Sequence, residues 1–387
     1  MKGLRWVTAG ESHGKALVGI LEGMPAGLAL DLARVDAELA RRQGGYGRGG
    51  RMKIETDRAE LLSGVRAGLT LGSPLALLIP NRDQTIERLP VPDNPRPGHA
   101  DLAGCQRLGV ADPRAVLERA SARETTTRVA LGALARQLLE AFGVELFAYV
   151  TELGGVAARA DAFEAAGARR HELREASEFY CLDPAQEAPL RARVDAAREA
   201  RDTLGGVFEV RVLGLPPGLG NYANPGERLA ARLGGALFSI PAMKGVEFGL
   251  GFESARRPGS EAHDAIVPVA DAPTSGSGRF GRFARATNRA GGLEGGMTTG
   301  EELVVRVAMK PIPTLRAGLP SLTFARGEVV RATYQRSDVT SVPAASVVGE
   351  AVLALELASA FLERFAGAAL DELRTSHRSW CDRVRSL

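Results

Sequence analysis

The chain has 387 residues, 45% hydrophobic and 25% charged, with a formal net charge of +3, the profile of an ordinary globular protein. Of its 49 basic residues five are lysines (Lys2, Lys15, Lys53, Lys244 and Lys310), leaving 44 arginines, and 46 acids match them; that scatter and balance exclude the basic stripe of a nucleic-acid binder. Cys105, Cys181 and Cys381 are too widely spaced for a disulfide framework or a zinc site and suit a reducing cytosol.

Leu4, Trp6 and Thr8 alternate with charged or small residues, predicting a strand that enters the tight loop G-E-S-H-G at 10–14. No basic-then-apolar leader precedes it. A second apolar run at 16–21 ends at Gly23-Met24-Pro25. Leu32, Val35 and Leu39 predict a helix over 31–42 that stops at Gly44-Gly45. Y-G-R-G-G-R at 46–51 then reads as a flexible basic loop carrying Arg48 and Arg51. Residues 61–79 read as strands broken at glycines, and the uncharged part, 67–81, is short of the roughly twenty apolar residues of a membrane span. A proline-marked loop over 82–98 leads into R-P-G-H-A-D at 96–101.

The rest of the chain is organised around the segment 119–143. Ser121-Ala122-Arg123-Glu124 has capping-box spacing, Leu131, Leu134, Leu138 and Phe142 form a helical stripe, and Gly143 suits the stop. Arg119, Arg123 and Arg128 crowd the N-terminus of this helix, where free N–H groups already carry partial positive charge, a pattern that fits a docked anion. A solvated arginine face is the simpler reading of this stretch alone.

A strand at 144–150 precedes an alanine- and charge-rich region at about 157–202, helical in composition and read as peripheral. A strand at 207–213 and a helix at 227–238 come next, then S-I-P-A-M-K-G-V-E, a glycine-rich segment at 274–300, a strand at 303–309 and K-P-I-P-T at 310–314. A strand at 327–334 delivers Arg336-Ser337-Asp338. The last long helix, about 344–365, is apolar on most sides, with Glu350, Glu356 and Glu363 as the main interruptions. So wide a stripe predicts burial between two layers. Without a fixed repeat or a clear linker, 1–387 reads as one composite domain.

His171, His263 and His377 lie among charged residues and read as surface groups. His13 and His99 sit in glycine-flanked loops, where the backbone can approach a ligand and an imidazole titrating near neutrality can exchange a proton. No metal motif appears; His99-x-Asp101 alone has little specificity. The glycine-rich segment matches no phosphate-loop template, although Thr287-Asn288-Arg289 supplies donors for a polar planar ligand. These residues describe an enzyme acting on an anionic small molecule and leave its reaction unnamed.

Six segments then occur in one order: G-E-S-H-G (10–14), R-P-G-H-A-D (96–101), R-A-S-A-R-E-T (119–125), T-N-R-A-G-G-L-E-G-G (287–296), K-P-I-P-T (310–314) and R-S-D (336–338). Together, over about 6–358, they resemble the chorismate synthase family. The resemblance implies an α+β fold, a β-α-β sandwich with a central layer of helices between two antiparallel sheets, assembled as a cytoplasmic homotetramer. It implies a carbon–oxygen lyase of the shikimate pathway that eliminates phosphate from 5-enolpyruvylshikimate 3-phosphate to give chorismate, with reduced FMN required but not consumed. His13 would protonate the departing phosphate, with Ser12 orienting the site. His99 would hold a proton at the flavin N1–O2 edge, and Asp338 would assist proton transfer at N5. Arg42, Arg48 and Arg123 would clamp the substrate's phosphate and carboxylates; family descriptions sometimes give the first two to NADP. FMN contacts would come from Arg119, Ala120, Ser121, Pro241, Ala242, Gly295, Lys310, Pro311, Ile312, Pro313, Thr314 and Arg336. Two positions depart from the pattern. Ser337 stands where many relatives carry histidine, and Pro241 where they often carry a polar side chain. No added flavin-reductase segment is visible, so reduced FMN is expected from an external reductant or reductase. A flavin oxidoreductase using the same pocket is the other reading; it would oxidise its flavin during turnover.

Overall fold

The computed structural model describes residues 3–49, 56–272, 274–334 and 338–387; Lys2, Arg51, Lys53, Arg336 and Ser337, named above, lie outside the described residues. Arg5–Ala9 (β1), Ala16–Glu22 (β2), Glu60–Ser63 (β3) and Leu75–Pro80 (β4) pair antiparallel in the order β1-β2-β4-β3. Side chains two apart share a strand face. Leu17 therefore lies opposite Ile79, and Leu21 opposite Leu75, on one fully buried surface.

A second antiparallel sheet is built from Glu145–Leu153 (β5), Val156–Ala157 (β6), Gly206–Leu213 (β7), Met243–Phe248 (β8) and Leu303–Met309 (β9), in the order β8-β9-β7-β5-β6. Leu146, Phe208, Val210, Val305 and Val307 are fully buried on it.

Helices join the two sheets. Leu32–Gln43 (α1) is capped by Asp31, whose carboxylate accepts from Ala33 N at 2.9 Å. Thr125–Glu140 (α2) packs on β2 and β4, and Val342–Arg364 (α4) packs on α2, β5 and β7. Leu229–Phe238 (α3) touches α4 and β8. The α2–α4 contact is close because Gly132 has no Cβ; one placed there would lie 2.5 Å from the Ala351 carbonyl oxygen. A Cβ on Gly349 would meet the Phe208 ring at 2.4 Å, so the same helix also sits tight on the sheet. By length and composition α4 is apolar enough to cross a membrane, yet 94% of its apolar window is buried inside the protein. Each fully buried leucine or valine along it contributes roughly 1.5–3 kcal/mol. One apolar cluster runs from Leu4 to Cys381.

Four sequence readings change. Among the described residues the strand expected over 327–334 is confined to Val329–Arg331, paired with Pro320–Leu322; a two-stranded ribbon with exposed Val329 has little apolar surface to extend it. The 157–202 region is helical, but Leu190, Val194 and Ala197 enter the main core, so it is not wholly peripheral. Leu370–Arg385 (α5) is a further helix that burial of Leu370, Leu373 and Trp380 holds in place. His377 on α5 is no surface group: its ring packs against Phe142, Phe361, Phe365 and Trp380.

Candidate active site

Pairing of β1 with β2 presents the loop 10–14 at one end of the first sheet, next to Asn81 at the end of β4. Asn81 is buried and closes that loop: Nδ2 donates to the carbonyls of Glu11 (3.0 Å) and Gly14 (2.9 Å), and Oδ1 accepts from Arg123 Nε at 2.9 Å. Glu118 holds His13 twice, accepting from its backbone N–H at 3.0 Å and from ring Nδ1 at 2.9 Å. Arg114 Nη1 donates to the other Glu118 oxygen at 2.9 Å. A carboxylate on Nδ1 fixes the tautomer and leaves Nε2 to face a ligand; Nε2 stands 4.0 Å from Asp83 Oδ2. Burial would raise the Glu118 carboxyl, but the hydrogen bonds from His13 and Arg114 hold it below its ordinary value.

Behind this loop lies a buried set of arginines. Arg123 precedes α2 and donates from Nη1 to Asp57 Oδ1 at 2.6 Å. Arg42, in the last turn of α1, donates to the Ala122 carbonyl (2.7 Å) and the Thr125 hydroxyl (3.1 Å). Its Nη1 has no hydrogen-bond partner among the described residues and lies 3.9 Å from Asp57 Oδ2. Burial, then Arg48 and Arg123, pulls the Arg42 guanidinium down to about 9 against the opposing pull of Asp57. Arg48, set between Gly47 and Gly49, pairs with Asp338 Oδ2 at 2.7 Å, and Asp338 also accepts from Gly49 N (2.6 Å) and the Ser341 hydroxyl (2.7 Å). Three guanidinium groups thus converge here, with Asp57 and Asp338 among their partners. Ser121 caps the turn through Arg123 N (3.3 Å) and donates to Ser12 Oγ at 3.2 Å. Glu124 does not complete the expected capping box. A 3-10 turn over Ala122–Glu124 places it one helical turn from Arg128, and the two pair at 2.8 Å.

A second neighbourhood surrounds His99. Its Nδ1 contacts Asp101 Oδ1 at 2.5 Å, and Arg96 binds Asp101 through Nε (2.7 Å) and Nη2 (3.0 Å). Burial opposes ionisation of Asp101, but the bonds from His99 and Arg96 hold its carboxyl well below the usual range. Lys310 Nζ donates to the Gly98 carbonyl at 2.5 Å, Lys310 N to the Ala242 carbonyl at 3.0 Å, and Arg96 reaches the Thr314 hydroxyl at 3.4 Å. Ala242 follows Pro241 at φ +72°. Thr314, Arg48 and Asp338 line one cleft.

The expected site residues therefore fall into two groups that meet where Arg42 lies near Arg48. Ser12, His13, Ser121, Arg123 and Arg42 form one; Arg48, Asp338, Thr314, Lys310 and His99, with Ala242, form the other. His13 and His99 make no direct contact. Three expected residues stand apart. Arg119 donates to the Thr8 (2.8 Å) and Gly10 (3.1 Å) carbonyls on the outside of the loop. Ala120, beside it, continues a turn through the Val116 carbonyl. Gly295 lies in the turn joining Leu293–Glu294 to Met297–Thr298, near the start of α3, whereas Pro241 and Ala242 follow its end. The ten residues of α3 separate those positions by about 15 Å. Glu118, Asn81, Asp57 and Arg96 were missed as working parts. Glu118 directly precedes the 119–125 motif and Arg96 opens another, but Asp57 carries no signal in the sequence.

An imidazole fixed by a carboxylate, beside buried arginines and a cleft, is an arrangement chemically suited to an anionic small molecule and to proton transfer. A family model described as chorismate synthase matches residues 4–362. A chorismate synthase from Trichlorobacter lovleyi is 51% identical over 394 residues, covering 99% of this chain and 100% of its own. One from Rubrobacter xylanophilus is 52% identical, covering 97% and 96%. A solved structure titled as a crystal structure of chorismate synthase superposes with a TM-score of 0.81 at 40% identity, covering all of both chains. The chain belongs to the chorismate synthase family.

Proposed function

We propose that the chain carries out its family's reaction, as a carbon–oxygen lyase of the shikimate pathway that releases phosphate from 5-enolpyruvylshikimate 3-phosphate and leaves chorismate. The observation that carries this reading is the buried convergence of Arg42, Arg48 and Arg123, with Arg42 Nη1 unbonded among the described residues, next to a histidine locked by Glu118. Such a set is costly to bury unless an anion neutralises it, and a phosphate with carboxylates does so.

His13 protonates the departing phosphate through Nε2, since Glu118 occupies Nδ1. Arg42, Arg48 and Arg123 hold the phosphate and carboxylates in fixed forks that gain strength as charge develops on the leaving oxygen. Ser12, bonded to Ser121 beside His13, helps to orient the site. Asp338 holds Arg48 in place and is a carboxylate at the cleft able to relay a proton. His99, steadied by Asp101 and Arg96, holds a proton on the other side.

Reduced FMN fits the donor set of the second neighbourhood. Lys310, Thr314, Arg96 and His99 are donors suited to an anionic ring edge and a phosphate, and Pro311, Ile312, Pro313 and Pro241 offer apolar surface beside them. When bound, FMN supplies electron density and a proton acceptor that a carboxylate alone lacks. Ser121 and Ala242 are further proposed contacts, while Arg119, Ala120, Gly295 and Arg336 enter from the family resemblance alone. The same reading makes the chain one unit with α1, α2 and α4 as a helical layer between the two sheets, assembled as a homotetramer in the cytoplasm and supplied with reduced flavin from outside; the packing of α2 and α4 on opposite sheets supports the layering.

The test is an anaerobic assay of phosphate release with reduced FMN and the enolpyruvyl substrate. Phosphate should appear over many turnovers while the flavin absorbance stays that of the reduced form; stoichiometric flavin oxidation would make the chain an oxidoreductase. His13→Ala should lower turnover roughly 10²–10⁴-fold with FMN binding retained.

A further inference from the structure

Residues 198–202 reach the cleft that holds Arg48, Thr314 and Asp338. Four arginines are among the residues that line it, Arg48, Arg198, Arg201 and Arg316, together with Asp202 and Asp338. Arg48 is committed to Asp338 and Arg198 to Asp195. Arg316 donates to the Tyr334 hydroxyl at 3.3 Å and lies over its ring. Arg201 is exposed, and among the described residues its guanidinium has neither a hydrogen bond nor an ion pair.

The backbone of Arg201 sharpens the point. It follows Ala200, the C-cap of helix Glu187–Glu199, at φ +57°. Glycine is the usual residue at that position, because a Cβ is disfavoured in the left-handed region. The main-chain bonds made here run from Arg201 N to the Arg198 carbonyl (3.1 Å) and from Ala317 N to the Arg201 carbonyl (3.3 Å). Glycine would make both without strain. The arginine is thus kept in an unfavourable conformation for its side chain, and that side chain points to no partner within the described residues.

We propose that Arg201, with Arg316, forms a cationic rim that draws the phosphate- and carboxylate-bearing substrate into the cleft and hands it to Arg48. This rests on the functional reading above. Exposed charges at a cleft mouth focus the field and act on association more than on the chemical step. Their effect fades as salt shortens the screening length, to about 3 Å at 1 M.

The experiment compares Arg201→Gly and Arg201→Lys with the unaltered protein across ionic strength, measuring turnover and the calorimetric affinities for 5-enolpyruvylshikimate 3-phosphate and for FMN. For R201G, kcat/KM and substrate affinity should fall roughly three- to tenfold at low salt, and the loss should shrink toward none near 1 M. Its kcat and FMN affinity should be unchanged, Tm equal or higher, and R201K should recover most of the loss. An unchanged kcat/KM with a lower Tm would overturn the proposal and make Arg201 a complement to the helix dipole. A loss confined to FMN affinity would overturn it in favour of the cofactor's phosphate, and a loss insensitive to salt would rule out steering. Turnover of the unaltered protein judges the functional reading, while the variant-to-unaltered ratio in calorimetric affinity judges the rim, so the two fail separately.

Discussion

Glu118 receives both the backbone N–H and the imidazole Nδ1 of His13, at 3.0 and 2.9 Å, across 105 positions of sequence. One buried carboxylate thereby sets where the loop 10–14 sits and which ring nitrogen is left to work. Glu118→Gln keeps the shape and removes the charge that favours a protonated ring. Turnover should fall roughly tenfold or more, short of the roughly 10²–10⁴ expected for loss of the proton donor itself. The alkaline limb of the pH–rate profile, where the proton donor is lost, should move to lower pH. The stability effect has a defined sign: a carboxyl held below its ordinary value contributes stability above its unfolded pKa, which is lost as pH falls through the folded value. The variant should therefore lose its stability deficit in acid. A pH–rate profile that does not shift would reduce Glu118 to a structural anchor.

Asn81 joins the two halves of the phosphate end of the site, since its amide group binds the Glu11 and Gly14 carbonyls on one side and Arg123 on the other. Asn81→Ala leaves two loop carbonyls and one guanidinium N–H unpaired near the site, at a cost of about 1–3 kcal/mol for each group left buried. KM for the enolpyruvyl substrate should rise, because Arg123 loses the anchor on its Nε, and denaturant melts should show the loss of stability. A variant with normal KM would show that Asp57 and the other partners of Arg123 are enough to aim it.

The elements that were legible in the sequence are those whose burial repeats with a period. β2 and β4 bury every second residue, and α1 buries Val35 and Leu39. The apolar breadth of α4 reflects contact with both α2 and the second sheet. By contrast, α5 escaped because His377 interrupts its apolar spacing, although the ring packs among aromatic side chains contributed by α4 and by Phe142. The site was legible only as motifs. Periodicity says nothing about single buried polar residues such as Asp57, whose partner Arg123 is 66 positions away, or Glu118. Arg201 lay in a stretch readable by composition alone, where nothing marks one arginine from its neighbours before the backbone is seen.

Asp57 is the carboxylate that touches both Arg123 (2.6 Å) and, more distantly, Arg42 (3.9 Å), and its side chain is fully buried. Asp57→Asn leaves two buried guanidinium groups without that counter-charge. Breaking one partner of a buried pair costs roughly 3–5 kcal/mol, so Tm should drop by several degrees. Substrate or inorganic phosphate should restore more of the Tm in the variant than in the unaltered protein, because an anion now supplies the missing charge as well as binding the folded state. Equal shifts in both proteins would show that the anion does not reach this cluster.

Glu350, in the middle of α4, is 2% exposed and pairs with Arg41 and Arg136 at 2.6 Å each, with Arg174 at 3.7 Å. Burial would raise its carboxyl, but the three arginines hold it below its ordinary value, whereas Glu38 in the same cluster is moved upward by burial and, among its charged neighbours, by Glu350. On acidification Glu38 therefore takes up a proton first and Glu350 last. Glu350→Gln should cost about 3–5 kcal/mol at neutral pH. The depressed carboxyl contributes stability present above its unfolded pKa and lost as pH falls through the folded value, so the gap between variant and unaltered protein should close only in strong acid. Arg41 directly precedes Arg42, so releasing it loosens the last turn of α1, and substrate KM should rise with little change in FMN affinity. Urea melts from neutral to acid pH, with KM measured alongside, check both parts. A variant as stable as the unaltered protein, with unchanged KM, would show that the arginines find other partners and that this hub neither holds the helices together nor aims Arg42.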